Sequence, residues 1–426
     1  MQALSTMDVP ANRETGGFIT MRTKRKAVTA LLVAFTMMFM LAACNSAPGK
    51  GSQAGGDGKQ GAAGNVQAAN EWAEKSGLNK TETVDELYAK AKQEGKVVVY
   101  SQSSRIKDVK ATFEAKYPGI KVEAFNLSTN DIVEKVIREQ AAGIYNADVI
   151  FVKDASGAVS TELTSKKLVH KYLPTDLSAK MVEPYKSKSS GLVPYFSLRA
   201  IFYNTDVYKT PPVTNWWDLT MPEWKGKVLL NDPIDSADMM DLFLAMVQHA
   251  DEMKQAYKDK FGKDIVLEGT ENAAYEFIKR FLKNDPVLMK SSDEVVEAVG
   301  VTNQGKPPIG IGASSKLRDV VDKKLSIAAT YDVLPRISVV GPSYLYVADK
   351  APNVNAAKLM IRWMAGEADG KADGFKPFNV MGSWSTRTDN GRTDQLPIDK
   401  LHVWDYDSDF FYKNYVKFRE FWLKMQ

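Results

Sequence analysis

Four loops of this sequence place hydroxyl side chains at the start of a predicted helix. The hydroxyl residues are Ser103 and Ser104, Ser128 and Thr129, Ser236, and Ser314 and Ser315. The first turn of a helix has unpaired backbone N–H groups and a partial positive charge, so it can bind an anion without a basic side chain. The alternative is that these residues only cap their helices, as serine and threonine commonly do.

Charged, amide and aromatic residues in the same regions extend the range of ligand groups that these loops would bind. Arg105 and Lys153 follow predicted strands and would add charge-assisted contacts to an anion, unless they are solvated surface charges. Asp154 and Asn231 would instead suit an amine or a hydroxyl group. Tyr344, one of two tyrosines at strand spacing, would either line the same cleft or pack in the core.

The sequence carries no recognisable pattern for catalysis or for metal binding. Its histidines, His170, His249 and His402, are far apart and match no metal-ligand spacing. No serine, cysteine or paired-carboxylate motif indicates a nucleophile. We therefore expect neither an enzyme nor a bound cofactor or resident metal.

Alternating strand and helix patterns position the first loops. Apolar or β-branched runs at 96–100, 120–125 and 147–152 predict strands, and the segments 106–116 and 131–142 have helical spacing. A β-α-β-α-β order predicts a parallel sheet with helices on its faces. In such sheets ligands bind beyond the carboxyl ends of the strands, which is where the loops lie.

The later part of the chain predicts a second lobe. The apolar, aromatic run 191–206 is expected to be a strand that passes from the first lobe to the second. The expected second-lobe elements are strands at 228–230 and 308–312 and helices at 237–249, 271–284, 291–300 and 316–323. We expect lobe 1 to comprise 71–198 and 335–426, including a C-terminal helix at 410–422, and lobe 2 to comprise 199–334. The fold class is α/β, with two hinge-connected lobes that each contain a mostly parallel sheet flanked by helices.

The N-terminal region indicates export and lipid attachment. A basic cluster at 22–26 precedes an apolar stretch at 27–40, which ends in small residues before Cys44. This order is typical of a secretory signal, and the apolar stretch is shorter than the ~20 residues of a membrane-spanning helix. We expect 1–43 to be the signal, with Met21 as the true start. The ending resembles the bacterial lipobox, which implies lipidation of Cys44; the alternative is a chance cysteine after an ordinary signal or short anchor.

Composition separates a tether from a globular body. The segment 44–70 is rich in glycine, serine, alanine and glutamine, so we expect a flexible linker. The whole chain is 44% hydrophobic and 25% charged, which is typical of a globular protein. Its net charge is +4, and most of this charge lies in 1–43, so the body is nearly neutral. A neutral body has no field to hold nucleic acid, and attraction for a charged ligand must be local.

Five segments of the body carry a family pattern: 94–101, 113–122, 147–149, 217–227 and 351–358. Together they resemble the type II periplasmic-binding proteins, in the branch that contains ferric-iron, thiamine, polyamine and phosphonate binders. The resemblance implies a monomeric, extracytoplasmic lipoprotein, anchored to the bacterial cell membrane, that delivers a small ligand to an ABC permease.

The resemblance also bears on the ligand. Ferric-binding relatives hold iron with two adjacent tyrosines after a second-lobe strand that matches 308–312. Here Ser314 and Ser315 occupy that place, and neutral hydroxyls are poor ligands for ferric iron. The sequence therefore favours a small oxyanion, a phosphonate-like compound or another polar metabolite. A ferric-iron receptor and a non-transport, ligand-sensing surface lipoprotein remain the alternatives.

Overall fold

The computed structural model describes residues 57–426. The predicted signal segment, the lipidation site Cys44 and the first part of the predicted tether therefore lie outside the described residues. Within the described part, no helix is both long and apolar enough to cross a membrane.

Helices cover the faces of both sheets and the two ends of the described chain. They are α1 (Asp57–Lys75), α2 (Val84–Glu94), α3 (Ile106–Lys116), α4 (Thr129–Ala141), α5 (Thr175–Ser178), α6 (Ala237–Gln248), α7 (Ala250–Phe261), α8 (Ala273–Lys283), α9 (Ser292–Gly300), α10 (Asp319–Asp322), α11 (Val354–Met364) and α12 (Ser408–Met425). Short 3₁₀ or π turns lie between several of them, including Ser314–Arg318.

Between residues 57 and 426 the strands form two larger sheets and one strand pair. They are β1 (Lys96–Ser101), β2 (Lys121–Asn126), β3 (Val149–Lys153), β4 (Val169–His170), β5 (Tyr195–Ser197), β6 (Arg199–Asn204), β7 (Val228–Asn231), β8 (Val287–Met289), β9 (Ile309–Ala313), β10 (Ile327–Thr330), β11 (Ser338–Val339), β12 (Gly341–Ala348), β13 (Ser383–Ser385) and β14 (Val403–Trp404). The first sheet has the order β13-β5-β12-β3-β1-β2, with β4 on β12; the second has the order β10-β6-β9-β7-β8; β11 pairs with β14.

The first lobe is built around the parallel strands β1, β2 and β3. Val99 is opposite Ala124 of β2 and Val149 of β3. The β-branched side chains of β1 are buried on both faces, as is typical of a parallel strand between helices. Phe113 of α3 packs in the same core as Val99. The carboxyl ends of the strands, with their polar loops, therefore lie at one edge of the sheet.

The second lobe has its own parallel core and a nearly all-apolar helix. β7 pairs in parallel with β8 and β9. Helix α6 is buried along almost its whole length, from Met239 to Val247, because it is hydrophobic on every side. The N-terminal turn of α6 is its least buried part and carries Ser236 and Asp238 to the lobe surface.

The chain passes between the lobes as the sequence predicts, but the connection is not one strand. β5 and β6 are separated by Leu198 alone and belong to different sheets. The chain returns to the first sheet between β10 and β12. The residues at the turn from β5 to β6, Ser197 and Arg199, consequently lie where the two lobes join.

Two domain expectations need correction. The predicted flexible tether is helical from Asp57 onwards, as part of α1, whose Trp72 ring lies 5.3 Å from the ring of His170. The C-terminal helix α12, expected in lobe 1, packs on the second-lobe core. The ring centroids of Trp422 and Phe418 lie 5.2 and 6.1 Å from that of Phe243 in α6. The aromatic rings of α12 match the apolar face of α6, a pairing that the sequence pattern does not reveal.

Candidate functional site

Three charged side chains meet where the lobes join, and we call them the charged triad: Lys153, Arg199 and Asp238. Lys153 ends β3 of lobe 1, Arg199 begins β6, and Asp238 lies in the first turn of α6. The Asp238 carboxylate accepts a hydrogen bond of 3.1 Å from Lys153 Nζ and one of 2.9 Å from Arg199 Nη2. Lys153 Nζ also donates to Ser197 Oγ at 3.2 Å. The triad therefore joins the two lobes through an ion pair.

The triad has two cations and one carboxylate. The Arg199, Lys153 and Asp238 side chains are 8%, 15% and 30% exposed, so the carboxylate is the most accessible member. Burial raises the pKa of Asp238, but attraction to Lys153 and Arg199 outweighs this effect and lowers the pKa to about 2. Asp238 is thus ionised at neutral pH, and the triad carries a net charge of +1.

Arg199 also connects the starts of two helices. Its Nη1 donates to Ser292 Oγ, in the first turn of α9, at 2.9 Å, and its Nη2 lies 3.4 Å from Ser236 Oγ, at the N-terminus of α6. The Asn231 side-chain amide lies 2.8 Å from Ser292 Oγ. Two helix N-termini, with their partial positive charges, therefore converge on the Arg199 guanidinium.

The first lobe adds neutral polar groups next to Lys153. Ser343 of β12 is directly opposite Lys153 in the sheet, and Gln102 Nε2 lies 3.4 Å from Ser343 Oγ. Thr129 Oγ1 in turn donates to Gln102 Oε1 at 3.1 Å. A strip of donors and acceptors thus runs along the carboxyl ends of β1 and β3 and ends at the triad.

A second group of polar residues also joins the lobes, and we call it the interlobe cluster: Asp154, Ser156, Asp241, Tyr406 and Ser408. Asp241 of α6 accepts hydrogen bonds of 3.0 Å from both the backbone N–H and the hydroxyl of Ser156. Asp154 accepts a hydrogen bond from Ser408 at 2.9 Å, and Tyr406 donates to the Asp154 carbonyl at 3.2 Å. Ser156 has a left-handed φ of 49°, which these bonds hold in place.

The two carboxylates of the interlobe cluster both have raised pKa values. Burial raises the pKa of Asp154 to about 6, although the hydrogen bonds from Ser408 and from the backbone N–H of Val159 act to lower it. Burial also raises the pKa of Asp241, and repulsion from Asp238 and Asp154 adds to the effect. At pH 7 Asp154 is therefore still mostly ionised, and Asp241 is the carboxylate of the two whose protonated form burial favours more strongly.

The cavities differ greatly in size around the triad. The space lined by Ser197, Arg199, Asp238 and Gly341 has a volume of about 10 Å³, room for about one water molecule. A cavity of about 460 Å³ lies farther along the lobe junction, and Ala237, the residue before Asp238, is part of its wall. Its other walls include Asn130, Ser156, Ile234, Met240, Tyr412 and Val416.

The structure brings some of the predicted ligand residues together. Lys153, Asn231 and Ser236 are at or beside the triad, and Thr129 is in the polar strip of lobe 1. Ser128 caps α4 by accepting a hydrogen bond from the Asp131 N–H at 3.2 Å, which is the alternative role considered for it. Its role in ligand binding, like that of the other predicted residues, stays a prediction.

Other predicted residues lie in different surroundings. Ser103 Oγ accepts a weak bond of 3.4 Å from the Arg105 N–H, and Ser104 is exposed before α3. Arg105 Nη1 donates to the Pro377 carbonyl at 2.9 Å, so its guanidinium is used within lobe 1. Tyr344 stacks on Tyr346, the other tyrosine at strand spacing, with 5.5 Å between the ring centroids.

Ser314 and Ser315 are buried, in contrast to the open loop that the sequence suggests. The Ser314 hydroxyl donates to the Gly382 carbonyl and accepts from the Leu198 N–H at 3.0 Å. Ser315 is 5% exposed. The Ser314 hydroxyl already has internal partners on both sides, so the start of this turn holds the lobes together rather than facing an open cleft.

Arg199, Asp238, Ser292 and Gln102 belong to the site but are not among the residues predicted from the sequence. Arg199 is a lone cation inside an apolar, aromatic run, and a charge in a buried strand needs a partner. That signal could have identified it. The position of Asp238 could not have been found in this way, since its partners come from strands 39 and 85 residues away.

The described residues show no group of three or more histidine, cysteine, aspartate and glutamate side chains placed to hold a metal ion. The carboxylate oxygens of the interlobe cluster already accept hydrogen bonds from other residues of the cluster.

The fold is that of the two-lobed periplasmic binding proteins, as comparison with solved structures shows. The chain belongs to the family of bacterial extracellular solute-binding proteins, whose family model matches residues 108–400. This membership places the body outside the cytoplasm and among solute-binding proteins rather than enzymes.

Individual relatives are distant. The spermidine/putrescine-binding periplasmic protein 1 of Haemophilus influenzae is 28% identical over 197 residues, which are 43% of this chain and 53% of that protein. This chain thus matches about half the length of that curated relative.

Solved structures share the fold. Iron-bound HitA from Pseudomonas aeruginosa has a TM-score of 0.60 and 16% identity, over 78% of this chain and 99% of that one. AfuA from Actinobacillus pleuropneumoniae, with fructose-6-phosphate bound, has a TM-score of 0.56 and 17% identity, over 78% of this chain and 97% of that one. At these identities the likeness concerns the fold alone.

Proposed function

We propose that this protein captures a small solute with an anionic group between its lobes and delivers it to an ABC importer. The observation that carries the proposal is the charged triad, in which Lys153 and Arg199 share the single carboxylate of Asp238. The surplus positive charge lies at the lobe junction, where two helix N-termini add to it. The body is nearly neutral overall, so this local charge would provide the attraction for an anion.

Closure of the lobes explains how the solute would be retained. A ligand shifts a protein towards a closed state only if it binds that state better than the open one. Lys153 and Gln102 belong to the first lobe, and Arg199 and Ser292 to the second. A single oxyanion that contacts both cations would stabilise closure, because neither lobe alone supplies both charges.

The ligands of relatives are consistent with a small polar solute but do not select one. HitA is described with iron, AfuA with fructose-6-phosphate, and the Haemophilus influenzae protein as a spermidine and putrescine binder. Of these ligands, the sugar phosphate matches a site with surplus positive charge. An amine ligand would instead have to approach two cations, which repel it.

Native mass spectrometry of the freshly purified protein tests the proposal. We expect the wild type to retain a small anionic compound that denaturation releases, and Arg199→Gln to retain about tenfold less or none, since charge-assisted bonds are the stronger ones. Arg419→Gln is the control, because Arg419 is exposed on α12. Bound iron with a coloured protein, or a bound polyamine, would contradict the anionic ligand.

Lipid attachment at Cys44 is part of the same proposal, because a lipid anchor would hold the receptor close to an importer in the membrane. We expect Cys44→Ser to abolish lipidation and to release the protein from the membrane fraction. The measurement is cell fractionation followed by intact mass analysis, with the wild type as control. If the Cys44→Ser protein remained membrane-bound and fully processed, the lipid-anchor proposal would fail.

A further inference from the structure

In the charged triad, the Asp238 carboxylate is the anion that pairs with both Lys153 and Arg199. This carboxylate accepts hydrogen bonds from Lys153 Nζ at 3.1 and 3.3 Å and from Arg199 Nη2 at 2.9 Å. The space beside these groups is only about 10 Å³. A tetrahedral oxyanion does not fit there while the Asp238 carboxylate remains in place.

We propose that Asp238 is a specificity-determining residue that acts as an internal competitor, so that a solute anion must displace its carboxylate from Lys153 and Arg199. This inference rests on the proposed function, because it assumes that the triad is the anion site. Asp238 is suited to leave, since its side chain is more exposed than those of the two cations and belongs to the first turn of α6. The preceding residue, Ala237, lines the larger cavity at the lobe junction.

The competitor also limits the charge of the preferred anion. With Asp238 ionised the triad carries +1, so a monoanion neutralises it and a dianion leaves it negative. Without the carboxylate the same cations carry +2 and would favour a dianion. A purely structural ion pair makes the opposite prediction, because removing Asp238 would then disturb Lys153 and Arg199 and weaken any anion site they form.

Titration calorimetry with sulfate as dianion and methanesulfonate as monoanion tests the inference. We expect Asp238→Asn to bind sulfate at least about tenfold more tightly than the wild type, and methanesulfonate with a smaller gain. Asp238→Ser, which also removes the carboxylate, should bind the two anions as Asp238→Asn does, so that the result does not depend on one replacement. Melting temperatures measured with and without sulfate should rise more in both variants than in the wild type.

Asp251→Asn is the matched control. Asp251 follows an alanine as the second residue of α7, as Asp238 does in α6, and both helices have 12 residues. The Asp251→Asn variant should bind both anions with the same affinity as the wild type. Equal gains in Asp251→Asn would show a general charge effect and overturn the inference.

The outcomes separate this inference from the proposed function. If the wild type binds an anion and both Asp238 variants bind it equally or more weakly, the competitor role is wrong and the anion site stands. If sulfate binding appears only in the variants, the competitor role is supported. If neither the wild type nor any variant binds either anion, the inference and the anionic ligand both fail.

Discussion

Two aspartates near the lobe junction have pKa values that their surroundings move in opposite directions. Asp238 lies between two cations, and its pKa falls to about 2. Asp154 is buried beside neutral donors, and its pKa rises to about 6. At a single residue, therefore, the partners of a buried carboxyl group decide whether its pKa falls or rises.

The raised pKa of Asp154 predicts a pH dependence of stability. An acid whose pKa is higher in the folded than in the unfolded protein binds more protons when folded, so its stabilisation is lost as pH rises from about 4 to about 6. Asp238 has the opposite sign, and its contribution is lost only as pH falls from about 4 towards 2. We expect the free energy of unfolding of Asp154→Asn to fall less than that of the wild type between pH 4 and 6.

Urea unfolding at a series of pH values measures this difference. One pKa unit corresponds to about 1.4 kcal/mol, so the change should amount to a few kcal/mol at most. Asp235→Asn, at an exposed loop position, should retain the wild-type profile. An unchanged pH profile in Asp154→Asn would mean that burial does not perturb this carboxyl group.

Sequence reasoning at this scale found the residues that end or begin elements. Lys153, Asn231 and Ser236 were identified because they follow a strand or precede a helix. Arg199 and Asp238 were not, because their importance comes from contacts between distant strands and helices. The loop position of Ser314 predicts a hydroxyl that binds ligand or caps a helix, whereas in the structure the approach of Gly382 from the other lobe buries it.

At the scale of elements, the contact between Ser314 and Gly382 fixes how the second-lobe turn meets lobe 1. Gly382 has a φ of 77°, and a Cβ there would lie 2.0 Å from the Ser314 carbonyl oxygen. Only a glycine allows this approach. Most helices and strands were predictable from hydrophobic period, but such contacts between elements were not.

Replacing Gly382 with alanine should destabilise the protein more than the backbone conformation alone requires. Gly143→Ala is the matched control, since its φ is 71° and no atom lies within 4 Å of an added Cβ. We expect Gly143→Ala to cost about 1 to 2 kcal/mol from the left-handed backbone. Gly382→Ala should cost at least about 2 kcal/mol more, because overpacking forces the lobes to shift. Equal costs in urea unfolding would show that the two lobes are not in tight contact here.

Tertiary contacts also determine the structure at the two ends of the described chain. The glycine- and alanine-rich segment after Asp57 has little apolar surface, yet it continues into the helix that carries Trp72 onto His170. The C-terminal helix α12 has aromatic residues on several sides, and composition alone does not indicate which lobe they contact. Phe243 supplies that contact from α6.

At the scale of the whole molecule, two lobes with separate cores meet at charged and hydrogen-bonded residues. The two-lobed α/β fold and its family were evident from the sequence, because strand order and family segments are local features. The identity of the solute is not local. Under the function that we propose, it depends on how Lys153 of one lobe and Arg199 of the other are placed when the lobes close.

A crystal structure of the protein with the solute that copurifies with it tests the central claim most directly. We predict an anionic group of the solute within hydrogen-bond distance of both Lys153 and Arg199, with the Asp238 carboxylate moved away from them. A solute bound elsewhere between the lobes, with the charged triad unchanged, would contradict the account, as would a metal ion or an amine at the triad.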